Sequence, residues 1–261
     1  MTCQICGGVT HVALVKERNV SCGDYFEGRR IYSADRGDME LIECSACGFA
    51  SFEEMSLWSP DVFQREIYNQ DYDLCDPPFL DERPRKLAKW LGASLAPTDL
   101  IDFGGGNGKM AGLLAEQGFE SVSFDPFYGD PVAPAHTASI VTAFEVVEHV
   151  PVQQDLFATL RDLAHADGLI VFSTLLKPQR LTGDWWYVSP RNGHVSFHTR
   201  QSLSHLLGAL GLSHICLSDE IHVAARDAAR LEPARGWPQV AVNGVPGFVF
   251  GSNWHHLTPA P

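Results

Sequence analysis

The run "DFGGGNG", Asp102 to Gly108, constrains this chain more than any other stretch. It lies within "TDLIDFGGGNGKMAGLLAEQGFESVSFDP", where Leu100 to Phe103 read as a strand, about Asn107 to Gln117 as a helix, and Glu120 to Phe124 as a second strand ending on Asp125. Glycines crowded at a strand-to-helix junction let the backbone approach a ligand at the helix N-terminus, and an acidic residue closing the next strand can accept hydrogen bonds from a ribose. The unit predicts a doubly wound, mostly parallel α/β sheet that binds an adenosine-type cofactor.

Three cofactor chemistries compete for such a loop. A phosphate-binding P-loop needs G-x-x-x-x-G-K-[ST], but Gly104 stands four positions before Gly108, and Met110 follows Lys109 where a hydroxyl is required. A dinucleotide site keeps some claim, since Gly106, Gly108 and Ala111 satisfy G-x-G-x-x-A and Asp125 falls in the range of the ribose carboxylate. Its first glycine would come three residues past the strand end, however, and Asp102 would bring negative charge to a pyrophosphate. A cationic sulfonium with an amino-acid moiety has the opposite preference, so electrostatics favour S-adenosylmethionine over NAD.

The N-terminal part carries a different device. "CQIC" (Cys3, Cys6) and "CSAC" (Cys44, Cys47) form a CxxC…CxxC pattern, each second cysteine followed by glycine. Two residues between thiolates let one tight turn aim both sulfurs at a single ion, and two such turns complete a tetrahedral shell suited to structural Zn2+. "VTHVALV" and "RRIY" are strand-like and predict the ribbon between the knuckles. These features divide the chain into a zinc-ribbon-like module over residues 1–55, an aromatic-rich connecting segment over 56–80, and a cofactor domain over 81–261. The last opens on a helix with Leu87, Trp90 and Leu91 on one side and Pro84 in its first turn.

Composition narrows the partners. A formal charge of -13 argues against nucleic acid, whose binders need clustered lysine and arginine to displace counterions. No apolar stretch approaches the roughly 18 to 20 residues of a membrane span, and "MTCQICGG" lacks the order of a secretory signal, so a cytoplasmic setting without membrane association is expected. The paired cysteines of a reducing compartment point to metal rather than disulfides.

"IDFGGGNGKMAGLLAEQG", then "VSFDP", then "VTAFEVVEHV" together resemble the class I S-adenosylmethionine-dependent methyltransferases, especially the subgroup with an E-x-x-E-H-V signature. The cysteine module followed by "IYNQDY" is similar to zinc-carrying members of that subgroup that act in natural-product and nucleotide-sugar pathways. The resemblance implies a Rossmann-like methyltransferase sheet. It also implies that Asp102, Gly104 and Gly106 surround the methionine part of the cofactor, Asp125 grips the ribose, and Phe144 and Glu145 lie beside the adenosine and methyl donor. Tyr68 would be the upstream aromatic that covers the cofactor. The stretch between Asp125 and Val141 is short and contains "PVAPAH", which predicts a reduced or irregular third strand.

Candidate bases follow from position. Methyl transfer from a sulfonium requires alignment and, for a hydroxyl or carbon acid, removal of a proton. Glu145, Glu148 and His149 in "EVVEHV" are nearest by topology, and His149 reads either as active-site floor or as a capping or packing histidine. After a helix over 152–165 and a strand over 168–174, the aromatic-rich insertion at about 176–198 is long enough to cover a ligand. Within it Tyr187, Arg191 and His194 are expected at the substrate, with His194 the second candidate base. Alternation in "HVSFH" predicts His194, Ser196 and His198 on one side. Pairing these histidines with an acidic residue as a metal site finds no recognised spacing.

The expectation is a methyltransferase for a small-molecule acceptor, such as a nucleotide-linked sugar or biosynthetic intermediate. An RNA or protein methyltransferase using the zinc module for recognition and a non-catalytic cofactor-binding protein are the alternatives, with an NAD enzyme the cofactor-level rival. Oligomeric state stays open.

Overall fold

Two sheets organise the computed structural model, which describes residues 2–34, 36–74, 81–126 and 134–240. The N-terminal sheet starts with β1 (Thr10–Glu17), passes through α1 (Cys22–Glu27), and continues with β2 (Asp38–Cys44) and β3 (Ala50–Phe52). β1, β2 and β3 pair antiparallel in that order. The expected strand at "RRIY" does not form. Gly28 ends α1 in the left-handed conformation, and Arg30 is occupied by Glu17 and Asp24, so this stretch turns while β2 supplies the ribbon's partner.

The second sheet is built from β4 (Asp99–Phe103), β5 (Glu120–Phe124), β6 (Ala138–Ala143), β7 (Ala164–Ser173), β9 (Ser213–Cys216) and β10 (Ile221–Ala225), in spatial order β5-β4-β6-β7-β10-β9. The first four are parallel, and β10 runs antiparallel to both of its neighbours. α2 (Pro60–Glu66) and α3 (Glu82–Ser94) precede β4, α4 (Lys109–Ala115) joins β4 to β5, α5 (Gln153–Leu163) precedes β7, and α6 (Arg200–Ala209) precedes β9. "SHICLSDEIHVAA" supplies both β9 and β10. The Ser218 hydroxyl accepts from the Glu220 and Ile221 amides and tightens the reversal between them.

Neighbouring residues of the strands feed opposite faces, as a two-residue period requires. Leu100 joins Leu87, Trp90, Leu91, Met110 and Leu114 on the α3/α4 face, while Ile101 joins Phe157, Leu160, Leu203 and Leu207 on the α5/α6 face. "ARDAARLEPARGW" forms two 3-10 turns, Ala228–Leu231 and Pro233–Gly236, the first capped by Asp227. Among the described residues no strand lies beyond β5, and residues 127–133 of the shortened third-strand region, like the segment "GVPGFVFGSN", lie outside the described residues.

The insertion joins the two sheets. β8 (Ser196–Phe197) pairs with β3 as the fourth strand of the N-terminal sheet. Trp185, Tyr187, Val188, Val195 and Phe197 share one core with Leu41, Phe52, Met55, Phe63 and Ile67.

Candidate active site

The strand order reverses at β4, whose chain successors β5 and β6 lie on its two sides, and open α/β sheets bind ligands outside the strand C-termini at such a point. Gly104 to Gly108 follow β4, Asp125 follows β5, and Phe144 and Glu145 follow β6. The loop cannot be built from other residues. Gly104 holds φ at +72°, and a Cβ there would lie 2.4 Å from Val146 Cγ2. Gly105, which sequence reasoning passed over, would drive a Cβ to 2.3 Å from both Asp102 Oδ2 and Ser123 Oγ.

Two carboxylates frame this loop. Asp102 is buried and accepts from the Thr142 hydroxyl at 2.8 Å. Burial pushes its pKa up to about 7; the Thr142 bond opposes that rise and Asp125 adds to it. Asp125 Oδ2 accepts from the Gly106 amide at 2.9 Å, tying the end of β5 to the loop.

Glu145 is the one non-glycine among the described residues with positive φ, at 55°, a conformation that costs energy and is kept where surrounding contacts impose it. Ser173 imposes it here. Its hydroxyl accepts from the Glu145 amide at 2.7 Å and donates to Glu145 Oε1 at 2.9 Å. Sequence reasoning missed Ser173, since a serine ending a strand has no distinctive local pattern.

One cleft of about 730 Å³ runs along these strand ends. Asp102, Gly104, Gly106, Asp125, Phe144 and Glu145 line one end. Trp58, Phe63, Tyr68 and Tyr72, together with Val150 to Val152, line the other. Burial raises the phenol pKa of Tyr68 well above the usual tyrosine value, with Asp125 and Glu148 both adding. Its ring is 5.1 Å from Tyr72 and 6.3 Å from His149.

The expected bases differ in their access to the cleft. His149 lines the cleft, and burial, then its neighbour His194, pushes its pKa well below the usual histidine value, so it is neutral at pH 7. His194 lies behind it, buried, with ring centroids 4.9 Å apart and Nδ1 2.8 Å from the Tyr187 carbonyl oxygen. Tyr187 is fully buried, its hydroxyl accepting from the Leu175 amide at 3.3 Å. Neither His194 nor Tyr187 lines the cleft. Arg191 is likewise buried, donating to Ile67 O and Asn69 Oδ1 and so fastening the segment that carries Tyr68.

His194, Ser196 and His198 all face the 147–153 segment, as the alternation read from "HVSFH" predicts: His194 packs against His149, Ser196 donates to Val150 O and His198 meets Gln153, while Val195 and Phe197 enter the core on the other side. The extended pairing covers only Ser196 and Phe197, and His198 also meets Ser202, with burial lowering its pKa to about 3.

The four expected thiolates converge. One Sγ from each of Cys3, Cys6, Cys44 and Cys47 falls within 4.8 Å of the others, with Cys3–Cys47 at 3.7 Å and Cys6–Cys44 at 3.5 Å. A disulfide would need about 2.05 Å, whereas sulfurs about 2.3 Å from one tetrahedral ion stand about 3.8 Å apart. The two knuckles match in detail. Gly7 and Gly48 donate to the carbonyls of Cys3 and Cys44 at 2.9 and 3.0 Å, with φ of 72° and 73°.

A family model described as a methyltransferase domain matches residues 74–217, more than half of the chain. No curated protein matches the chain in sequence. Among solved structures, the 1,6-didemethyltoxoflavin-N1-methyltransferase of Burkholderia thailandensis, bound to 1,6-didemethyltoxoflavin and S-adenosylhomocysteine, is similar with a TM-score of 0.50. It is 16% identical over 74% of this chain and 96% of that one. Magnesium protoporphyrin IX methyltransferase of Synechocystis PCC 6803, with bound S-adenosylhomocysteine, gives 0.45 at 18% identity over 64% and 97%. A methyltransferase of calicheamicin biosynthesis gives 0.46 at 14% identity over 65% of this chain; the chain spans 61% of that protein's length. The likeness to the toxoflavin enzyme is one of fold. By the family match, the chain belongs to the methyltransferase-domain family, and the expectation of a methyltransferase stands.

Proposed function

We propose that the protein transfers the methyl group of S-adenosylmethionine to a small acceptor with an apolar ring or face, and that its four cysteines hold a structural Zn2+. The observation that carries this reading is the single cleft joining the glycine loop to the aromatic wall. The cofactor supplies an electrophilic methyl on a sulfonium. Asp125 would hold the ribose, the Gly104–Gly106 backbone and Asp102 the amino-acid part, and Phe144 the face beside the adenosine. Asp102 and Asp125 favour this cationic ligand over the pyrophosphate of NAD.

The aromatic wall supports the acceptor class. Among the described lining residues Arg83 is the one lysine or arginine, against carboxylates at Asp102, Asp125, Glu145 and Asp155. A nucleotide-linked sugar would bring a pyrophosphate into that field, so an uncharged or cationic biosynthetic intermediate fits better. In-line transfer then needs alignment above all. Tyr68 and Glu145 both line the cleft, and Glu145 would be the carboxylate that accepts an acceptor proton.

Calorimetry with S-adenosylmethionine, S-adenosylhomocysteine and NADH tests the reading. Both sulfur ligands are expected to bind and NADH to give no heat; NADH binding with no response to the other two would overturn it.

A further inference from the structure

The wall behind the cleft holds a cluster that methyl transfer by alignment alone does not require. Glu148 is fully buried, and among the described residues neither carboxylate oxygen has a partner in good hydrogen-bond geometry. Nε2 of His149 lies 3.8 Å from Oε1 of Glu148. One ligand atom from each of Glu148, His149 and His194 falls within 4.8 Å of the others. Two ligands, each about 2.1 Å from one ion, reach at most about 4.2 Å apart, so a small side-chain adjustment closes the three on a single ion.

The tautomer of His194 suits that role. Its Nδ1 faces the Tyr187 carbonyl at 2.8 Å, and a carbonyl can only accept, so Nδ1 carries the proton and Nε2 presents a lone pair. Metal-ligating histidines are commonly oriented in this way, with the second ring nitrogen donating to a backbone carbonyl. Glu148 makes the complementary argument. A buried carboxylate is strongly unfavourable unless a proton or a cation neutralises it. A proton would make it a hydrogen-bond donor, yet neither oxygen is in hydrogen-bonding geometry with either imidazole, and the neighbouring Tyr187 hydroxyl favours the charged form.

We propose that Glu148, His149 and His194 bind one divalent first-row transition-metal ion at the floor of the cleft, separate from the thiolate site. Two imidazoles and a carboxylate suit Mn2+, Fe2+, Co2+ or Zn2+ better than Mg2+, which prefers an all-oxygen shell. Three protein ligands leave positions open. His149 is the member of the trio that reaches the cleft wall, so the open side faces the acceptor end. An acceptor oxygen on such a position would ionise more readily than in water. Metal binding itself depends on neither the methyl donor nor the acceptor.

Mn2+ titration followed by electron paramagnetic resonance, on the full chain with its thiolate site loaded with Zn2+, tests the proposal, because thiolates select the softer ion. One Mn2+ per chain is expected to leave the free-ion signal, with spin-echo modulation from coordinated imidazole nitrogen. Glu148→Gln is expected to weaken binding by at least about tenfold, the smallest effect seen even when an outer-shell partner is removed. Binding by the wild type no tighter than about 1 mM, or unchanged affinity in a folded Glu148→Gln protein, overturns the proposal. Should that variant not fold, His149→Ala serves, since that side chain is 14% exposed and its loss is tolerated more easily. Unchanged Mn2+ affinity there overturns it equally.

Discussion

The two ends of the cleft are assembled by different rules. The cofactor end comes from one continuous stretch, Asp102 to Glu145, and much of it is backbone held open by glycine. The acceptor end is made of side chains from segments far apart in the chain: Trp58 to Tyr72, and His149 to Leu156 with His194 behind. The N-terminal module braces that second end. Gln4, inside the first CxxC, donates to Pro151 O at 3.0 Å and accepts from the Gln153 amide at 3.2 Å, and Thr199 donates to Cys47 O. A site that binds through backbone depends on conformation; one that binds through distant side chains depends on what holds the segments together.

The sharpest way to break this contrast is at the thiolates. Cys44→Ser is expected to abolish the zinc binding proposed for the four thiolates and remove a large part of the stability, since structural zinc contributes folding free energy on the order of 10 kcal/mol. Elemental analysis and thermal denaturation check it. In whatever folded protein remains, acceptor turnover should fall further than cofactor affinity; full zinc retention would reject the four-thiolate site.

Gly104→Ala attacks the cofactor end alone. A Cβ at φ +72° and 2.4 Å from Val146 forces the loop to move, and left-handed strain of about 1–2 kcal/mol plus the clash puts the expected loss of S-adenosylmethionine affinity near a hundredfold. Zinc content should stay unchanged. Trp58→Ala makes the reciprocal cut: it removes an aromatic wall residue that packs edge-on against Phe63 at 5.3 Å. Its expected signature is a rise of about tenfold in the acceptor's KM, as for loss of an aromatic contact of roughly 1.5 kcal/mol, with cofactor affinity intact.

The same contrast decides what could be read from the sequence. The elements around the proposed cofactor end were legible because strand, loop, helix and carboxylate follow one another, and each has a local signature: β5 lies at Glu120–Phe124 as expected, and α3 buries Leu87, Trp90 and Leu91. The cysteine knuckles were legible for the same reason. The acceptor end was not. Tyr187 and Arg191 carry reactive groups on a loop, which reads as substrate contact, but the insertion folds back into the core shared with β2 and β3 and buries both. Ser173 and the proximity of Glu148 to His194 are products of tertiary packing, for which no spacing exists to be read.

The smallest effect tests the comparison within the cofactor end itself, where the Asp102 side chain lies against the glycine backbone. With its folded pKa raised to about 7, Asp102 stabilises the apo fold fully below its unfolded value near 4, and that contribution is lost as pH rises through 7. A cation bound beside it reverses the preference, since the ionised carboxylate attracts a sulfonium or ammonium. Thermal stabilisation by S-adenosylmethionine over the ligand-free protein should therefore grow as pH rises from about 6 to about 8, the interval spanning the folded pKa, with proton release on binding. The ligand's own amino group titrates near that range and would work in the opposite direction by losing its charge. Asp102→Asn isolates the protein's part: it should flatten or invert the rise, whereas an unchanged slope would remove Asp102 from the cofactor's charge balance and leave backbone as the main determinant of binding at that end.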